Sequence, residues 1–212
     1  MKKPPAKISA DYLQKLYDER QEAIRNRLSD FSKISPSEYF YELVYCLLTP
    51  QSSAVNADKA VRLLREHDLQ SSEIDPEPLL HQKDFYIRFH KTKAKHLLKI
   101  KEEFPSISRH LANGNSSVEL REWLVKNVRG LGWKESSHFL RNIGHRNLAI
   151  LDRHILKNLV RFGVIKNQPK TLTPKLYKSI ERKFMVFSEQ MNIPIDELDL
   201  LFWSMETGEI RK

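Results

Sequence analysis

Val128-Arg129-Gly130-Leu131-Gly132-Trp133-Lys134-Glu135-Ser136 places two glycines between two helical runs. Gly-Leu-Gly is therefore a tight turn at which the backbone can pass close to another group. Glycine reaches positive φ without strain, and the helix that follows opens with unpaired N–H groups. Together these make a nest for a phosphate, gripped without reading sequence. Short glycine turns also serve as plain connectors, and the turn alone leaves both possibilities open.

Outward from this turn the chain is helical. Leu13, Leu16, Tyr17, Ile24, Leu28 and Phe31 recur at helical spacing. Ser35-Pro36-Ser37-Glu38 has the form of a capping box with proline at the first helical position, opening a helix that Pro50 ends. Residues 53–65 carry Val55, Val61, Leu63 and Leu64, and 71–78 is a polar, proline-bearing loop. Residues 92–104 form a basic amphipathic pattern stopped by Pro105, and Ser116 with Glu119 caps the next helix. Gly144 and Gly163 suit left-handed positions after helices, Thr173-Pro174 opens a helix to about Met191, and Asp196 caps a last one ending near Gly208. The expectation is an all-α protein of about nine or ten helices in two lobes with a cleft between them. Residues 1–35 would pack with the C-terminal lobe, 36–128 would form a central bundle, and 129–212 the glycine turn and C-terminal lobe.

A chain of 212 residues, 40% apolar and 30% charged, can bury a sizeable core. No run approaches the length of a membrane span, and the basic N-terminus lacks the apolar stretch of a secretion signal, so a cytoplasmic, nucleoid-associated protein is expected. The lone Cys46 lies in an apolar run and reads as a small buried hydrophobe. One cysteine excludes a disulfide framework, a zinc ribbon and a four-cysteine iron–sulfur cluster. The net charge of +9 favours polyanionic partners, although a general surplus of surface lysine would give the same number. Lys83, Arg88, Lys91, Lys93, Lys95, Lys99 and Lys101 fall in one stretch whose only acid is Asp84, which suggests a one-sided footprint or a solvated helix face.

Lys134 follows Gly132 at a helix start, where a cation opposes the helix dipole. In a water-poor cleft its amine would become neutral and nucleophilic, able to form a Schiff base. A phosphate contact or a solvated lysine would look the same. Asp152 arrives at another helix start after the apolar run Leu148-Ala149-Ile150-Leu151. It reads equally as an N-cap and as a carboxylate facing a site, and the two roles are compatible.

The turn and its flanks resemble a helix–hairpin–helix element. Gly-Leu-Gly-Trp-Lys followed eighteen residues later by Asp is similar to the DNA glycosylases of the helix–hairpin–helix superfamily. Lys134-Glu135-Ser136-Ser137-His138-Phe139-Leu140-Arg141-Asn142-Ile143-Gly144 and Ala149-Ile150-Leu151-Asp152-Arg153-His154-Ile155 resemble one branch, the archaeal-type (type 2) 8-oxoguanine DNA glycosylases/AP lyases. Cys46-Leu47-Leu48-Thr49, Arg88-Phe89 before Lys93-Ala94-Lys95, and Asp199-Leu200-Leu201-Phe202-Trp203 extend the similarity over most of the chain.

The resemblance implies that Lys134 attacks the sugar carbon bearing the damaged base and that Asp152 stabilises the charge that develops. β-Elimination from the Schiff base would then cut the strand on the 3′ side, with no metal or organic cofactor. It implies a partner in double-stranded DNA containing oxidised guanine, base flipping, and action as a monomer without a protein partner. Trp203 and Phe89 correspond to pocket aromatics, though either also suits a core. Lys212 corresponds to a terminal lysine whose carboxylate helps to recognise the base. Gln51 occupies the place of a residue that fills the hole left by the flipped base, and reads otherwise as a polar helix start. Gly130, Gly132 and His138 would face DNA, His138 alternatively packing between helices. The spacing of His138, His145 and His154 matches no familiar zinc pattern.

Two competing readings remain at this level. An oxidised pyrimidine or uracil as target would keep the scaffold, but the absence of iron–sulfur cysteines opposes it. A non-catalytic DNA-binding module would account for the charge and the glycine turn, leaving Asp152 and Lys212 as coincidences.

Overall fold

In the computed structural model, which describes residues 9–210, nine α-helices and two short 3-10 turns account for the regular structure. The helices are α1 (Ala10–Ser32), α2 (Tyr39–Leu48), α3 (Ala54–Glu66), α4 (His90–Leu111), α5 (Ser117–Asn127), α6 (Trp133–Asn142), α7 (Arg153–Arg161), α8 (Pro174–Gln190) and α9 (Ile195–Thr207). Among the described residues the only β pairing is an isolated bridge between His81 and Tyr86. The chain is all-α, as its periodicity indicates.

It divides into two compact units, Ile34–Ile143 and the remainder on either side. In the central unit α2 is buried from Phe40 to Leu48 and packs against α3, α4 and α6, while α5 and α6 lie side by side. The expected boundary at 128/129 moves to 143/144. The helix carrying Lys134 turns a run of buried residues, Ser136 to Asn142, toward α2 and α5, and so goes with the central unit.

In the other unit α9 is the hub. Leu198, Leu200, Leu201 and Phe202 are buried, and α1, α7 and α8 pack against it. Phe202 stacks on Phe162 and Phe184, with ring centroids 5.3 and 5.6 Å away. The apolar positions that mark α1 at helical spacing, Leu13, Tyr17, Ile24, Leu28 and Phe31, form its buried stripe.

Three local expectations are corrected. Residues 35–38 form no capping box: Pro36–Glu38 is a 3-10 turn, and the Glu38 carboxylate instead takes both arms of Arg65, at 3.0 and 2.6 Å. Pro105 does not stop α4, which runs on to Leu111. A mid-helix proline costs about 3 kcal/mol, and burial of Phe104 and Ile107 on either side of it offsets that at roughly 1.5–3 kcal/mol each. Asp196 does not cap α9; it lies in the first turn, and its carboxylate accepts the N–H of Asn147.

Candidate active site

The α5–α6 turn is set by one glycine more than by two. Gly130 has φ +94°, and a Cβ there would lie 2.6 Å from His96 Nδ1 and 3.2 Å from Leu47 Cδ1. Gly132 is extended and serves as N-cap of α6 without a side chain to bond the first N–H groups. The turn therefore leads into α6 without a side-chain cap, the arrangement the sequence suggests for a phosphate.

Lys134 occupies the first turn of α6, and its Nζ lies 3.0 Å from Glu135 Oε1. The side chains are 28% and 15% exposed, so the pair is partly withdrawn from water yet accessible. Lys93 of α4 bears on both groups. It is buried, and its Nζ donates to Leu48 O at 2.7 Å and Pro50 O at 2.8 Å. Burial first, and the charge of Lys134 second, push its amine down to about 8, with Glu135 opposing.

Asp152 is delivered by an irregular stretch, residues 148–151, that belongs to no helix or strand. Buried N–H groups of such a stretch need acceptors, and side chains of α8 and α9 supply them. Ala149 N donates to Glu181 Oε1 at 2.9 Å, Ile150 N to Asp199 Oδ2 at 3.1 Å, and Leu151 N to Tyr177 Oη at 3.3 Å. Tyr177 Oη in turn donates to Ala149 O at 2.6 Å. Asp152 then caps α7, its Oδ1 accepting from His154 N at 2.8 Å and Ile155 N at 2.9 Å. The imidazole of His154 stands edge-on to the half-buried Trp203 at 6.4 Å, which puts Asp152 and Trp203 in one neighbourhood of the second unit.

The other expected residues divide. Gln51 is exposed in the turn between α2 and α3 with a left-handed φ of +57°. Phe89 is 51% exposed, also left-handed, with the Arg88 guanidinium over its ring. Of the two readings of His138, its surroundings fit packing between helices: it is buried inside the central unit, edge-on to Tyr45 at 5.8 Å, because α6 turns that face toward α2. Lys212 lies outside the described residues. The basic stretch is not a free one-sided footprint either, since Lys93 points inward and Lys101 donates to Ser72 O and Glu73. Among the described residues no three His, Cys, Asp or Glu side chains gather as a metal ion requires.

From the sequence Lys93 was counted only in the basic stretch, and Glu135, Glu181 and Asp199 were given no role of their own. Lys93 had a signal, since it continues the buried register of Leu97, Ile100 and Phe104. A charge in an apolar helical stripe is one that has found a partner inside.

With this geometry in place, comparison with known proteins is specific. A family model described as 8-oxoguanine DNA glycosylase matches residues 24–193. The chain belongs to the 8-oxoguanine DNA glycosylase family. It is 42% identical to the 8-oxoguanine DNA glycosylase/AP lyase of Fusobacterium nucleatum over 94% of this chain and 96% of that protein. It is 36% identical to the protein of the same name from Korarchaeum cryptofilum, over 91% of each. A crystal structure of the Methanocaldococcus jannaschii 8-oxoguanine glycosylase/lyase in complex with 15mer DNA containing 8-oxoguanine superposes with a TM-score of 0.84 at 31% identity, covering 96% of this chain and 99% of that one. Within this family the all-α architecture found here is the expected one.

Proposed function

We propose that this chain removes 8-oxoguanine from double-stranded DNA and then cuts the strand 3′ to the abasic site, with Lys134 as nucleophile and Asp152 as its partner. The observation that carries the assignment of Lys134 is its place: a partly exposed amine in the first turn of the helix that Gly130 introduces. Lys134 starts as an ammonium paired with Glu135, and before attack it must pass one proton to that carboxylate or to water and leave the pair as a neutral amine. Its lone pair then bonds the sugar C1′, the bond to the base breaks, and the base leaves with the electron pair and takes a proton. Ring opening gives a Schiff base. Loss of a C2′ proton and of the 3′ phosphate cleaves the strand, and hydrolysis returns the free amine.

Asp152, its Oδ1 already engaged at the start of α7, offers the carboxylate that balances positive charge on the sugar as the base departs. The backbone amides after Gly130 would hold a phosphate, Phe89 and Trp203 would stack on the extruded base, and Gln51 would fill its place in the duplex. No step of this chemistry calls for a metal or an organic cofactor.

Incubation with an oxidised-guanine duplex and borohydride tests the core of this reading. A covalent protein–DNA adduct is expected, and Lys134→Gln should abolish it. An undiminished adduct in that variant would remove Lys134 from the mechanism. We also propose a cytoplasmic monomer; light scattering should give a mass near 25.0 kDa, and twice that value would reverse the assignment.

A further inference from the structure

The turn between α2 and α3 is fastened from three sides. Ser52 N donates to Thr49 O at 3.0 Å, closing the turn around Gln51. Ser52 Oγ accepts from Arg88 N at 3.0 Å, tying it to the segment before α4. From α4, Lys93 Nζ reaches the last carbonyl of α2 and that of Pro50, at 2.7 and 2.8 Å. A left-handed conformation at a residue other than glycine costs on the order of 1–3 kcal/mol and persists only where the surroundings impose it. Gln51 and Phe89, at φ +57° and +60°, are two such residues joined by these ties.

The amine that makes the third tie is an expensive one. Lys93 is 7% exposed, and withdrawing an ammonium from water costs several kcal/mol even after relaxation. Methionine would continue the stripe of Leu97 and Ile100 without that cost. What the ammonium gains is a place at the C-terminus of α2, where the helix dipole favours a cation, and a bond to the residue before Gln51. The charged groups that bear on it are Lys134 and Glu135, both from α6.

We propose that Lys93 is a positioning residue, a cationic clasp that holds the Gln51 turn in its left-handed form so that the turn can occupy the duplex as the damaged nucleotide leaves. This rests on the base-releasing activity proposed above and adds a residue to it. Extraction of an intact damaged base depends on that turn more than cleavage at a site already lacking its base, which is the cheaper nucleotide to extrude. Above about pH 8, where Lys93 loses its proton, its two bonds cease to be charge-assisted and the clasp weakens.

The test compares single-turnover rates of wild type, Lys93→Met and Lys93→Arg on two duplexes, one with 8-oxoguanine and one with a preformed abasic site. Lys93→Met should slow base release about 30-fold or more while slowing abasic cleavage by no more than about threefold. Lys93→Arg should recover most of the base release and, keeping its charge, lack the decline that wild type shows above pH 8. If Lys93→Met does not fold, Lys93→Gln, which donates without charge, is judged by the same ratio. Losses whose ratio is less than about tenfold would overturn the inference, as would failure of Lys93→Arg to exceed the uncharged variant. Failure of the underlying reading shows separately, as absence of base release and of a borohydride adduct with the wild-type protein.

Discussion

The carboxylate of Asp199 accepts the amide N–H of Ile150 at 3.1 Å, and so a side chain of α9 aligns the backbone that ends in Asp152. The bond is buried, with Asp199 only 2% exposed. Asp199→Ala would leave that amide without an acceptor, at roughly 1–3 kcal/mol. The expected outcome is a Tm lower by roughly 3–10 °C together with a loss of base release of about tenfold or more, because the approach of Asp152 shifts. Calorimetry and single-turnover assays check this together. Full activity at the lowered Tm would show that the segment holds its course without the carboxylate.

Capping and chemistry at Asp152 are separable. Asparagine caps a helix nearly as well as aspartate, so Asp152→Asn should retain the bonds to His154 and Ile155 and melt within about 1 kcal/mol of wild type. Its negative charge is gone, and base release should fall by about 100-fold or more. Asp152→Ala should lose activity and a further ~1 kcal/mol of stability. If the asparagine variant works at the wild-type rate, the residue is a cap and nothing else.

Gly130 offers no room for a side chain. A Cβ would meet His96 Nδ1 at 2.6 Å in a left-handed backbone, so Gly130→Ala must distort the turn. The expected cost is on the order of 1–3 kcal/mol, with weaker binding to duplex whether or not a lesion is present. Fluorescence anisotropy with undamaged DNA gives the answer, and unchanged affinity would mean that the turn does not grip the backbone.

A pH effect on stability follows from Glu206. Burial pushes its carboxyl up, but the hydrogen bond from Lys157 and the charges of Arg161, Lys157 and His154 outweigh burial, and the net shift is downward. A carboxyl lowered by folding contributes stability that is present above its unfolded value and lost as pH falls through the folded one. Glu206→Gln should therefore be less stable than wild type at pH 7, and the gap should close as the solution is acidified below the ordinary glutamate range. A gap that stays constant down to about pH 3 would locate the effect in packing rather than charge.

Much of this was legible beforehand, and for identifiable reasons. The stripe of α1, the Ser116–Glu119 capping box, the Thr173 cap and the left-handed glycines at 144 and 163 are decided by residues a few positions apart. What was missed depends on distant partners. Glu38 fits a cap by spacing, yet Arg65 claims it; Asp196 fits a cap by position, yet the amide of Asn147 claims it. Pro105 reads as a stop until the burial of Phe104 and Ile107 is known. His138 and Lys93 look alike in a sequence, as polar residues near a site, and only packing separates a histidine against Tyr45 from an ammonium bonded to two carbonyls.

The pairing of α1 with α9 sets a schedule for synthesis. The central unit, Ile34–Ile143, is continuous and is complete more than 50 residues before the first residue of α9 is made. The apolar stripe of α1 emerges before the central unit but has to wait for α9, whose first residue follows Lys33 by more than 160 positions. At 5–20 residues per second that interval is roughly 10–30 s. Throughout it, Leu13, Ile24 and Phe31 are a greasy ridge without a lid, the part of the nascent chain most in need of a chaperone's attention.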